Sequence, residues 1–246
     1  MLIDLTEPGT LSVGQIGGKA YNLHKLTHMG VPVPPAVVVP ADVTVAKEAE
    51  LRTHISTHPI ITVGEKFAVR SSGIGEDGEG NSFAGIFESY LDVSREDIYD
   101  AVVRVWESVN STRSAMYAHE RSTSVGAMGV VIQHMIDADY AGVAFSVCPV
   151  EKDKRIALIE MVAGNGDSLV SGKKTPATIR VNKLTDMTRI QRQGADKIAP
   201  EVLEQIAEEL MPLIVKIERS YGVPVDIEWA YAQGEPYILQ ARPITT

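Results

Sequence analysis

Two runs in which apolar and polar residues alternate, Asp226-Ile-Glu228-Trp-Ala and Tyr-Ile-Leu-Gln240-Ala-Arg242-Pro, flank a short Gln-Gly-Glu-Pro segment holding Gly234 and Pro236. A period of two residues belongs to a strand, and a glycine-bearing break between two such runs is a β-hairpin signal. Pairing symmetric about Gly234 sets Glu228 opposite Gln240 and Asp226 opposite Arg242. Alternate strand residues share a face, so all four polar side chains then point the same way. One reading is an amphipathic hairpin with a solvated charged face. The other is a metal-and-phosphate floor, because a carboxylate and an amide oxygen can hold Mg²⁺ while a guanidinium two residues on grips a phosphate. The hairpin alone leaves both open.

A chain of 246 residues is long enough for one large domain or two lobes with a proper core. Its net charge of −9 argues against nucleic acid or an anionic membrane surface as the main partner. Any bound anion therefore needs a local basic site. No apolar stretch approaches the roughly 18 residues of a spanning helix, and Met-Leu-Ile-Asp-Leu-Thr-Glu lacks the layout of a signal peptide. Cys148 is the only cysteine, so an intrachain disulfide is excluded and a cytoplasmic setting is expected. Its apolar surroundings beside Pro149 mark it as a small buried hydrophobe rather than a nucleophile.

Along the chain, Gly17-Gly18-Lys19 opens a helical pattern, Ala20, Leu23, Leu26 and Met29, closed by Gly30. Val31-Pro-Val-Pro-Pro forces an extended connector into a short strand at 36–39. The stretch 41–66 is polar and weakly patterned; its His54 and His58 read as surface histidines. Phe67-Ala-Val-Arg70 is a strand leading to Ser71-Ser72 and a glycine-rich acidic loop, followed by a helix over Ile98, Val102, Val105, Trp106 and Val109. Strands are expected at 130–135, 141–146, 156–161 and 177–181. A final helix begins at Pro200, kinks at Pro212 and ends at Gly222. Helices and strands do not alternate regularly, which favours an α+β fold over a doubly wound parallel sheet.

Three further segments could meet phosphates. Lys19 stands at a helix start, where unpaired N–H groups and the positive dipole end favour an anion. The Gly-x-x-x-x-Gly-Lys-Ser/Thr spacing is missing, so this is not a P-loop. Arg70 ends an apolar strand, an odd place for a cation unless it faces a cleft. Ser82-Phe-Ala-Gly85, with Ser89 after it, is a small-residue turn whose backbone can approach phosphate oxygens closely. Gln133, Met135 and Ile136 close another apolar strand and could read an adenine edge while packing on its ring. Each has a structural alternative: a turn before a helix, a flexible acidic loop, an ordinary core strand.

In order, the stretches GGKAYNLHKL, GVPVPPAVVV, FAVRSSGIGED, SFAGIFESYLDV, GVVIQHM, GVAFSVCPV, EMVAGNGDSLVSGKKTPATIRVNK and VDIEWAYAQGEPYILQARPIT resemble the nucleotide-binding domain of the pyruvate phosphate dikinase, phosphoenolpyruvate synthase and rifampin phosphotransferase family. The resemblance spans nearly the whole chain from about residue 14. It implies an ATP-grasp-type α+β fold with ATP in a cleft between two lobes, here 1–125 and 126–246. Carried over, Lys19, Arg70 and Arg242 hold the reacting phosphates, Gly85 and Ser89 cover them, and Gln133, Met135 and Ile136 line the adenine site. Glu228 and Gln240 bind Mg²⁺. Family chemistry passes the β-phosphate of ATP to a histidine on a separate domain, releasing AMP and phosphate.

The chain departs from the family in three places. None of its histidines (His24, His28, His54, His58, His119 and His134) lies in a Thr-Ser-His-type motif, so a phosphohistidine-domain protein in trans, or missing C-terminal domains, is the expected partner. The connector 41–66 is short. Ala163, Asn165 and Asp167 stand where the family usually has an aromatic residue, a leucine and a glutamate. The alternatives to a dikinase-type phosphotransferase are a stand-alone small-molecule kinase and a nucleotide-sensing regulatory subunit.

Overall fold

The computed structural model describes residues 2–43, 47–74, 89–109, 128–149, 151, 153–166, 174–185, 188–192, 194 and 196–244. These form two units, Met1–His28 with Pro34–Met135, and Met29–Val33 with Ile136–Thr246.

The first unit is built on a five-stranded sheet with the spatial order β1-β2-β5-β3-β4. The strands are β1 (Ile3–Asp4), β2 (Ala36–Val39), β3 (Lys66–Gly73), β4 (Ser89–Ser94) and β5 (Met128–His134). Every pairing is antiparallel. Alternation sorts the strands by face. Phe67, Val69, Val130, Ile132, Val37 and Val39 join a core with α2 (Glu48–Thr57), α3 (Pro59–Val63) and α4 (Ile98–Val109). The intervening residues Ala68, Arg70, Ser72, Gly129, Val131 and Gln133 occupy the opposite face, where α1 (Val13–His28) packs on β3 and β5. Burying side chains such as Phe67, Ile132 and Ile98 contributes roughly 2 kcal/mol each.

The stretch 41–66, expected to be weakly patterned, contains two helices. Pro59 does not break structure there. It sits in the first turn of α3, where a missing N–H costs nothing, and His58 supplies the cap by accepting from Ile60 N–H at 3.3 Å.

The second unit carries a six-stranded antiparallel sheet in the order β11-β10-β6-β7-β8-β9. Its elements are β6 (Tyr140–Phe145), β7 (Ile156–Ala163), β8 (Ala177–Asn182), β9 (Thr188–Arg192), α5 (Pro200–Tyr221), β10 (Val225–Ala232) and β11 (Glu235–Pro243). Leu203, Ile206, Leu210, Ile214 and Ile217 recur at helical spacing on α5 and are buried. Proline begins α5 and Gly222, at φ 71, ends it in the left-handed conformation, as the sequence leads one to expect. α5 runs through Pro212 as one helix.

The division between units falls after Met135, not at 125/126. β5 pairs with β2 on one side and β3 on the other, so it belongs to the first sheet. Met29–Val33 belongs with the second unit because Ile238 N–H donates to Pro32 O at 2.7 Å and Lys216 Nζ to Gly30 O at 3.1 Å. Among the described residues no helix is long and apolar enough to cross a membrane.

Gly17 interrupts α1 with φ 78 and ψ 170, a conformation essentially reserved for glycine. A Cβ there would also lie 1.8 Å from the Ser72 carbonyl oxygen. Gly222 is left-handed too, but a Cβ would meet nothing within 4 Å. Gly17→Ala is therefore expected to destabilise the chain by more than about 3 kcal/mol, against about 1 kcal/mol for Gly222→Ala. Urea midpoints of the two variants measure the contrast.

Candidate functional site

On the first unit, the break at Gly17 leaves Lys19 in the first turn of the helical run that follows. Ser72 ties this turn to β3: its Oγ accepts from Ala20 N–H at 3.0 Å and donates to Ile16 O at 2.8 Å. A side chain at Gly129, opposite Ser72 on β5, would collide with the same Ile16 carbonyl at 2.5 Å. The close approach of backbone to backbone is thus built from a glycine on each side and one hydroxyl between. Arg70 lies two residues before Ser72, on the same face, and is half-buried. Its cross-strand neighbours are Ser89 on β4 and Val131 on β5. The structure therefore brings Arg70 and Ser89 side by side, with Ser72 linking their strand to the Lys19 turn.

Gln133 shares that sheet face but sits opposite Ala68, one step further along the ladder. It is 1% exposed, and its Nε2 donates to Pro34 O at 3.4 Å. Met135 N–H donates to Lys66 O at 2.9 Å, and the chain passes from the first unit to the second between Met135 and Ile136. Both side chains are half-buried. Gly85, Glu76 and Asp77 lie outside the described residues, as does Asp167.

On the second unit the hairpin has the pairing its sequence suggests, Glu228 with Gln240 and Asp226 with Arg242. The local route is different. Gln233 and Gly234, at φ 55 and 81, form a two-residue turn of the primed type, which pairs Ala232 with Glu235. Continued without interruption, that register would set Glu228 opposite Leu239 and turn Gln240 and Arg242 to the other face. A bulge at Leu239, between the Trp229–Ile238 and Glu228–Gln240 pairs, absorbs one residue and restores the match. Val225, Ile227 and Trp229 point to the buried side, and the four polar residues share the other.

Gln240 is 4% exposed, so its amide is fixed beside the half-buried Glu228 carboxylate. Arg242 is held by Asp226, whose Oδ2 accepts from Nε at 3.0 Å and from a terminal guanidinium nitrogen at 2.8 Å. The sequence places Asp226 on this face, but its part as the orienter of Arg242 emerges only from the structure. Among the described residues, no group of three or more His, Cys, Asp or Glu gathers as a protein-only metal cage. One carboxylate and one amide oxygen suit Mg²⁺, which usually keeps waters and takes its other ligands from substrate phosphates. The donor set present fits that ion.

The chain matches the family described as pyruvate phosphate dikinase, AMP/ATP-binding domain, over residues 48–246. It belongs to that family. An uncharacterized phosphotransferase of Bacillus subtilis, YvkC, is 34% identical to it over 94% of the chain and 33% of the relative. A probable phosphoenolpyruvate synthase of Methanothermobacter thermautotrophicus is 32% identical over 98% of the chain and 45% of the relative. The family domain in this chain thus spans between a third and a half of these relatives' length. Among solved structures, the dinucleotide-forming acetyl-coenzyme A synthetase 1 of Candidatus Korarchaeum cryptofilum superposes with a TM-score of 0.50 at 9% identity, covering 93% of this chain and 92% of that one. The fold is the α+β ATP-grasp type.

Asp196 meets the start of the stretch that departs from the family pattern, at Ala163. Asp196 accepts from Ala163 N–H at 2.9 Å and from Lys174 Nζ at 2.8 Å. Asn165 Oδ1 accepts from Ala138 N–H at 3.4 Å. The Lys174 ammonium, and after it the Ala163 N–H, hold the Asp196 carboxyl below the usual aspartate range. A depressed folded pKa adds stability that is present above the unfolded value and lost as pH falls through the folded one. Asp196→Asn should therefore lower the stability at pH 7, by under about 1 kcal/mol for a partly exposed pair, and the melting temperature with it. The gap from the parent chain should narrow below about pH 4, the ordinary aspartate value. Melting curves across pH check both the sign and the window.

Proposed function

We propose that this chain binds Mg-ATP and acts as the phosphoryl-donating part of a dikinase-type phosphotransferase. The β-phosphate passes to a histidine nitrogen on a separate domain or protein, water takes the γ-phosphate, and AMP and inorganic phosphate leave. Phosphoryl transfer asks a protein mainly for positioning and charge neutralisation. In this reading Lys19, Arg70 and Arg242 grip the reacting phosphates, with Gly85 and Ser89 covering them. Gln133, Met135 and Ile136 line the adenine, and Glu228 and Gln240 hold Mg²⁺.

The observation that carries the proposal is the hairpin register. The bulge gathers Glu228, Gln240, Asp226 and Arg242 on one face while Ala241 takes the core position opposite Ile227, and that grouping of polar residues supports the reading. Membership of an AMP/ATP-binding family supports the nucleotide. The partial span of the relatives, together with histidines outside any acceptor-type motif, supports an acceptor supplied separately.

Incubation with Mg-ATP and candidate histidine-domain proteins, with nucleotides resolved by chromatography, tests it. AMP and phosphate are the expected products. ADP would indicate a small-molecule kinase instead, and binding without turnover a nucleotide sensor. Glu228→Gln and Arg242→Ala should each lower turnover by about 100-fold or more, as loss of a charge-stabilising contact does, while leaving the melting temperature within a few degrees. Near-normal turnover in either variant would move the site elsewhere.

A further inference from the structure

Helix α5 has a second face beside the one buried in the core. Glu208, Met211, Pro212, Val215 and Arg219 recur at three- and four-residue spacing and border a cavity of about 960 Å³. The far wall is the cross-strand pair Val181–Thr188, at the outer end of the sheet. The floor is apolar: Val181 is 2% and Met211 8% exposed, and Val215 is half-buried. A cavity of this size lies at the upper end of the range for small-molecule sites, and an apolar lining with few polar anchors is their usual make-up.

The charged groups around it are mostly cationic. Lys183, Lys216 and Arg219 line the cavity against one acid, Glu208. Lys183 is half-buried, with its side chain 13% exposed, and its charge is balanced by both oxygens of Glu218 at 3.1 and 2.8 Å. Lys216 and Arg219 are exposed and three residues apart on one helix face. Like charges at that spacing repel by a few tenths of a kcal/mol. An anion between them would turn that repulsion into attraction. On a chain of net charge −9 a cationic rim above an apolar floor is a local exception.

We infer that this cavity is a binding site for a small amphipathic anion, a carboxylate or phosphate ester with an apolar body, which lies on Met211, Val215 and Val181 and directs its charge to Lys216 and Arg219. The site lies wholly within the second unit, on the α5 side of the sheet and away from the Glu228–Arg242 face. It does not depend on the proposed phosphotransfer.

The probe is 8-anilinonaphthalene-1-sulfonate, an aromatic anion whose fluorescence rises in apolar surroundings. The full chain should bind it saturably. Lys216→Glu combined with Arg219→Glu should weaken binding at least about tenfold, the effect of some 1.4 kcal/mol. Lys216 also donates to Gly30 O at 3.1 Å, so Arg219→Glu alone, at an exposed position, is the second variant: it should keep the melting temperature and still weaken binding. Octanoate and octyl phosphate, tested separately, should compete, and their ranking tells a carboxylate site from a phosphate-ester site. Inorganic phosphate should not compete. The inference is overturned by absence of saturable binding, by affinity unchanged in the charge-reversed variants, by displacement with inorganic phosphate alone, or by displacement with Mg-ATP, which would place the probe elsewhere.

Discussion

Cross-strand register in the closing hairpin is the constraint on which the candidate site depends most. In an antiparallel pair a slip of one residue sends every side chain of a strand to the opposite face. The Gln233-Gly234 turn by itself enforces a register that would face Leu239 to Glu228 and separate Arg242 from Asp226. The bulge at Leu239 cancels that offset within one residue. Bulges disrupt a ladder locally, and they recur beside functional sites because they re-aim side chains. Here the re-aimed residues are the only amide and the only guanidinium on that face of β11, and the cost is one unpaired leucine.

The same economy governs the first unit. Gly17 gives up helical geometry so that the carbonyl of Ser72 can lie against it, and the Ser72 hydroxyl then satisfies both a helix-start donor, Ala20 N–H, and the stranded carbonyl of Ile16. A similar buried junction stands at the root of β10 in the second unit. Ser146 Oγ accepts from Val225 N–H at 2.9 Å and donates to Glu218, which is paired in turn with Lys183. Val225 immediately precedes Asp226. Buried ion pairs contribute little net stability, because desolvation offsets their attraction. Their value in this place is geometric: they fix where the strand bearing Asp226 and Glu228 begins.

Much of the architecture was legible because it rests on short-range rules. Helix ends at Gly30 and Gly222, the start at Pro200, and strands near 130, 141, 156 and 177 follow from backbone preferences and apolar spacing. The hairpin pairs were reached from symmetry about Gly234, which assumes a three-residue loop; the outcome agrees because turn and bulge together consume the same number of residues. What escaped depends on context. Pro59 and Pro212 each permit two readings, and only neighbouring structure decides that one caps a helix and the other rides within it. Thr188–Arg192 carries a single apolar residue, Ile190, and forms a strand because β8 offers it an edge. Strand β5 bears no mark of which sheet it will join, and so the boundary between units was misplaced. Among site residues, Lys19, Arg70, Glu228, Gln240 and Arg242 stand out as polar groups at unusual places in apolar patterns. Ser72 and Asp196 act by holding other groups, and nothing in local spacing distinguishes such residues from ordinary surface polarity.

Charge balance on the hairpin face bears on how a nucleotide would be received there. Asp226 and Glu228 contribute two negative charges against the single positive charge of Arg242, which Asp226 already engages. That face by itself repels a polyphosphate. On the proposed reading a divalent cation at Glu228 and Gln240 would reverse the sign, while Asp226 keeps the guanidinium from rotating. Phosphate binding at this face is thus coupled to the metal by arithmetic alone.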